Sequence, residues 1–112
     1  LENTMPEYKA PLRDMQFVLD DLLNANAHYA DIPGRTAFDQ DLRGAIVNEA
    51  AKLAENVLSP INQSGDAEGC HFDNGNVTVP KGFKEAFQEY GQGGWAGLSA
   101  GEEIGGQNLP PS

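Results

Sequence analysis

The sequence predicts an all-α domain of three to four helices with a short hairpin or loop. Three observations carry that prediction. Two long stretches and a shorter third one repeat their apolar residues every three or four positions, as one face of a helix requires. The only strand-like text is a brief alternation on either side of Asn74-Gly75. A chain of 112 residues has room for one domain and one hydrophobic core.

The first stretch places Leu12, Met15, Val18, Leu19, Leu22 and Leu23 on one helical face, predicting a helix from Pro11 to about Ala25. Pro11 suits the first helical position, where its missing N–H would have no partner anyway, and Asp14 lies where the helix dipole favours a carboxylate. Asn24 and Asn26 weaken the far end. Asp31 to Arg35 read as a turn, with Pro33 fixing one backbone angle and Gly34 freeing the next. A second helix follows, with Thr36 as N-cap and Asp39 three residues on. Phe38, Leu42, Ile46, Ala50, Leu53, Ala54, Val57 and Leu58 hold its period for about six turns. Pro60 either ends this helix or kinks it on toward Ser64, and the kink is slightly favoured.

From Gly69 to Pro80 an Asn-Gly pair separates two short alternating arms, which predicts a small hairpin or a plain loop. Lys81 to Tyr90 then carries Phe83, Ala86, Phe87 and Tyr90 at helical spacing. The last third is different in kind: it holds most of the 13 glycines, together with Trp95, Leu98 and Ile104, and has no sustained period. Flexible backbone presenting large apolar groups implies a surface that packs against something else.

Composition narrows the function. Seven Lys+Arg against 17 Asp+Glu leave a net charge of -10, which excludes a nucleic-acid partner and an anionic membrane surface, since both are held mainly by Lys and Arg. Cys70 is the only cysteine, so no intrachain disulfide forms, and with only His28 and His71 beside it a Cys/His zinc site is incomplete. A cytoplasmic, reducing compartment is expected, with neither a membrane span nor a secretory leader in the sequence. The Asn-x-Ser/Thr triplets at Asn62 and Asn76 are then chance. Leu1 to Thr4 have the character of a cloning remnant, with Met5 as the natural start of a single domain over 5–112.

Each candidate site has a plainer explanation. Gly91-Gln92-Gly93-Gly94-Trp95-Ala96 matches the dinucleotide-binding spacing, but a helix leads into it where that chemistry needs a strand; it reads as a helix C-terminus and turn. Cys70 and His71 lie near Asp66, Glu68 and Asp73 without any zinc or calcium spacing, and incidental proximity is the better account. Asp20-Asp21 and Glu102-Glu103 are read as solvated carboxylates rather than an acid and base pair. Trp95 is expected to anchor a core or an interface. The residues alone therefore predict no catalytic, cofactor-binding or metal-binding position.

Two segments carry a resemblance. EYKAPLRDMQFVLDDLL, Glu7 to Leu23, resembles the N-terminal leader of a bacterial subgroup of FAD-dependent acyl-CoA dehydrogenases, the 3-methylmercaptopropionyl-CoA dehydrogenase-like enzymes. GGWAGLSAGEEIGGQNLP, Gly93 to Pro110, is similar to the stretch that ends the N-terminal helical domain of that family, usually around a Pro-Glu-Glu-Tyr-Gly-Gly core. Glu102, Glu103, Gly105 and Gly106 match it, while Gly101 stands where Pro is common and Ile104 where Tyr is common. The resemblance implies the N-terminal helical domain of an enzyme that also has a β-domain and a C-terminal four-helix bundle. Such an enzyme removes a proton beside the thioester carbonyl with a carboxylate while hydride passes from the β-carbon to FAD. That carboxylate and the main flavin contacts belong to the other domains, so no residue role transfers here. The chain alone is expected to bind no FAD and to be inactive. Its implied partners are the remaining domains and acyl-CoA in the full-length parent; the apolar glycine-rich tail separately predicts that the isolated chain pairs with a second copy. The alternative is a free-standing helical interaction module docking through Phe83, Phe87, Trp95 and Leu98.

Overall fold

A computed structural model describes residues 6–111; the expectations for Leu1 to Thr4 and Met5 lie outside the described residues. The fold is all-α with one small hairpin, as the periodicity predicts. Helix α1 spans Leu12–Gln16 and opens into a π-helical turn over Phe17–Leu22, closed by Leu23 N–H donating to the Val18 carbonyl at 2.9 Å. Pro11 sits one position earlier than expected, as the residue capping the helix.

Asn24 stops this first helix by adopting a left-handed backbone with φ 48°, which Asn tolerates better than most residues. The chain does not then run on as loop. It starts a short helix, α2 (Ala25–Ala30), that turns Ala25 and Tyr29 inward. Two inward residues four apart are too few to show as a period.

The second long helix begins later than the sequence suggests. Asp39, not Thr36, is its N-cap: Asp39 is extended and its carboxylate accepts from Leu42 N–H at 2.9 Å, while Thr36 lies in a preceding turn. Moving the start by three residues leaves Phe38 outside the helix, where its ring meets Tyr29 edge-on at 5.0 Å. Helix α3 (Gln40–Leu53) passes through a π-helical turn (Ala54–Leu58) directly into α4 (Ser59–Glu68). Pro60 is therefore absorbed. The wide turn ahead of it, with Ser59 N–H donating to the Ala54 carbonyl, makes room where a regular helix would press the ring into the preceding carbonyl. The helix continues past Ser64 to Glu68.

The Asn-Gly pair does make a hairpin. Strands β1 (His71–Asp73) and β2 (Asn76–Thr78) pair antiparallel with Phe72 opposite Val77, and Asn74 and Gly75 both have positive φ, 49° and 83°. That is the turn whose twist suits a two-residue hairpin loop. Helix α5 (Phe83–Gln92) follows and ends at Gly93, with Gly94 left-handed at φ 77°. Gly65 is buried because the Phe83 ring occupies the place its side chain would fill, which brings α5 against α4. The tail forms two 3-10 turns, Trp95–Gly97 and Glu102–Ile104, folded onto each other. Gln107 N–H donates to the Gly97 carbonyl at 3.0 Å, Asn108 N–H to Ala100 at 2.8 Å and Leu109 N–H to Leu98 at 2.9 Å.

These elements lie side by side rather than around a centre. The molecule measures 55 × 42 × 16 Å, so its thickness is little more than one helix. Among the described residues the buried apolar core holds just Ala25, Tyr29, Ala51 and Ala86 beside Gly65 and Pro80, and no large side chain is fully buried.

Candidate functional site

Among the described residues, three surface grooves and one buried polar cluster are candidate places for chemistry. The first groove, about 720 Å³, runs along the π-helical turn and is lined by Tyr8, Glu55, Leu58, Ser59 and Pro60 among others. Two of its polar groups, Glu55 and Ser59, are already engaged by the extended N-terminal segment. Ala10 N–H donates to Glu55 Oε1 at 2.8 Å and Tyr8 N–H to Ser59 Oγ at 3.4 Å. Beside it Lys9 Nζ pairs with Glu7 at 3.2 Å, and the Glu7 carboxylate, helped by Glu55, raises the Lys9 ammonium above its ordinary pKa.

A second groove of about 490 Å³ lies between α1 and α3, and a third of about 420 Å³ lies between α4 and α5, lined by Leu58, Ile61, Phe83, Phe87 and Tyr90. The third is a mostly apolar face left open: Phe87 is 75% exposed. Lys52 is the one cation lining the three grooves among the described residues, and Glu49 holds it at 2.6 Å. A flavin dinucleotide or coenzyme A needs several donors around its phosphates. These residues do not fit such a group by themselves.

The buried cluster is centred on Arg43, which the sequence does not single out. Arg43 is 4% exposed and donates through Nη2 to Asp20 Oδ1 at 2.7 Å and Asn26 Oδ1 at 2.8 Å, and through Nη1 to the Phe38 carbonyl at 2.8 Å. Its guanidinium also lies 5.6 Å from the Phe38 ring centre. One cation thus ties the π-helical turn after α1, α2, the turn before α3 and α3 itself. Its Nε is the one buried side-chain nitrogen or oxygen among the described residues with no partner. The arrangement is architectural: Asp20 Oδ1, Asn26 Oδ1 and the Phe38 carbonyl all accept from the guanidinium and hold it in place.

The residues singled out from sequence separate. Asp20 is not a solvated carboxylate; it is 17% exposed and carries the Arg43 pair, because α2 folds back at Asn24 and covers it. Asp21, Glu102 and Glu103 are exposed, in accord with the plainer account. Asp66, Glu68, Cys70, His71 and Asp73 do not converge: among the described residues no three His, Cys, Asp or Glu side chains could share an ion. Gly91 and Gln92 are the last residues of α5, so the glycine-rich segment is a helix end. Trp95 is half-buried, with its ring filling the space beside Gly93. Gly105 has φ 87°, and the Ala100 carbonyl occupies the place where Gly106 would carry a side chain. The paired glycines of the family-like stretch thus allow a tight fold of the backbone. Gly101 keeps φ -64° and ψ 152°, the backbone that the commoner Pro would impose.

No helix of the described residues is long and apolar enough to cross a membrane. No protein-family model matches the sequence. Over 108 residues, taking in 92% of this chain, the sequence is 32% identical to 3-methylmercaptopropionyl-CoA dehydrogenase of Ruegeria pomeroyi. The likeness seen at Glu7 to Leu23 and at Gly93 to Pro110 therefore extends along nearly the whole chain. The chain spans 17% of the length of that enzyme, and what it is similar to is a segment of an acyl-CoA dehydrogenase.

Proposed function

We propose that the chain is the N-terminal helical domain of an FAD-dependent acyl-CoA dehydrogenase, whose parent oxidises acyl-CoA thioesters at the α,β-carbons. The observation that carries this reading is the continuous similarity along 92% of the chain to a 17% portion of such an enzyme. The open apolar face of α4 and α5 and the exposed hairpin support it, because a domain built to pack on others keeps apolar residues on its surface. In this reading the chain supplies a wall and an interface. The base, the flavin and the thioester contacts come from the remaining domains, and the remaining domains and acyl-CoA are partners of the parent. A second copy covering the same face in the isolated chain belongs to the same proposal.

The test compares the purified 112-residue chain with the product of the reading frame that contains it. The longer product is expected to carry flavin absorbance and to reduce an electron-accepting dye when given acyl-CoA, and the chain alone to do neither. Dye reduction by the chain alone overturns the proposal. So does a reading frame that stops at Ser112, which favours the free-standing interaction module.

A further inference from the structure

The hairpin His71–Thr78 is a weakly supported element of the fold. Every residue of both strands is exposed, Phe72 at 76% and Val77 at 68%, so the pair Phe72–Val77 is held by its own contact and by the ladder bonds. An isolated two-stranded hairpin is marginally stable in water, and such elements open locally at little free-energy cost. At its tip stand Asn74 and Gly75, both exposed and both at positive φ.

We infer that Asn74 is a site of spontaneous backbone modification, in which the exposed hairpin opens and the Asn74–Gly75 pair cyclises and hydrolyses. When the turn opens, the Gly75 backbone nitrogen attacks Asn74 Cγ. A bond forms between that nitrogen and Cγ, the bond from Cγ to its amide nitrogen breaks, and ammonia leaves with the proton that the Gly75 nitrogen gives up. Water then opens the five-membered imide at either carbonyl, leaving Asp or, by the other route, an iso-aspartyl linkage. Nothing is oxidised or reduced, and water is the only co-reactant. Gly75 is what makes the attack accessible, since it has no side chain beside the nitrogen and the widest backbone freedom.

The iso-aspartyl product carries one extra backbone methylene and a new negative charge. A two-residue loop fixed by two positive-φ residues cannot absorb that insertion and keep Phe72 opposite Val77. The iso-aspartyl product therefore loses the hairpin and with it the paired Phe72 and Val77 surface, whereas the Asp product keeps a normal backbone. This inference is independent of the enzyme reading and stands or falls on the hairpin alone.

The full chain is aged in mildly alkaline buffer and digested. Mass spectrometry locates the gain that accompanies exchange of an amide nitrogen for oxygen, and an iso-aspartyl-specific methyltransferase labels the product. The amide is expected to be lost roughly tenfold faster at Asn74 than at Asn48, Asn62 or Asn76, which are followed by Glu49, Gln63 and Val77. Gly75→Ala strains the turn open yet is expected to slow the loss about tenfold, because the attacking nitrogen is then flanked by a side chain. Phe72→Gly, which deletes the cross-strand pair, is expected to speed it about threefold. Loss at Asn74 no faster than at the other three asparagines overturns the inference, as does a Phe72→Gly rate equal to that of the unaltered chain.

Discussion

Arg43 brings a full charge into a chain that buries no other charged side chain among its described residues. A guanidinium held this way depends on its partners, because removing the carboxylate leaves the cation desolvated and uncompensated. Asp20→Ala is therefore expected to cost about 3 kcal/mol in urea unfolding, near the low end for a buried pair because Asp20 stays partly wet. Asp20→Asn keeps an acceptor and should cost less. Equal losses for the two variants would count against the charge as the cause. None of this was legible in sequence. Asp20 and Arg43 lie 23 residues apart, and what joins them is the reversal at Asn24. A lone Asp beside another Asp carries no mark of the partner it will meet.

At the scale of the element, periodicity placed α1, α3 and α5, and turn chemistry placed the hairpin. Boundaries were less secure. Thr36 and Asp39 are both good N-caps, and the choice was made by Phe38, which packs on Tyr29 and lends its carbonyl to Arg43. Pro60 marked the point where α3 would bend, and the π-helical turn ahead of it explains how the helix survives. The tail gives a sharper expectation. Gly101 already holds proline-like angles, and its N–H donates none of the turn and loop bonds of the described residues. The neighbouring Glu103 carboxylate is the flexible group that must move aside. Gly101→Pro is expected to stabilise the chain by roughly 0.5 kcal/mol, mostly by restricting the unfolded state. A lowered melting temperature would show that the 3-10 turn over Glu102–Ile104 needs the freedom of glycine.

At the scale of the whole molecule the defining fact is thinness. The radius of gyration is 18.1 Å, against about 13 Å for a compact domain of this length. Its accessible surface is 8545 Å², against roughly 6,000 Å² for a folded monomer of this mass. The difference is of the size that stable obligate interfaces bury. In isolation the chain is expected to bind a hydrophobic dye and to sediment above the monomer mass. Because a net charge of -10 repels like copies, the association should strengthen with added salt. A monomer at every concentration and salt level, without dye uptake, would contradict that expectation.

By itself the sequence determined the helical class, the three periodic elements, the Asn-Gly hairpin and the resemblance at both ends. All of these are local, written in spacing and in residues with special backbone preferences. The tertiary structure decided where α3 starts, that α2 exists, that Asp20 serves Arg43, and that the apolar face of α4 and α5 stays open. Those outcomes depend on which distant residues meet, and a spacing of three or four positions says nothing about what will lie across from it.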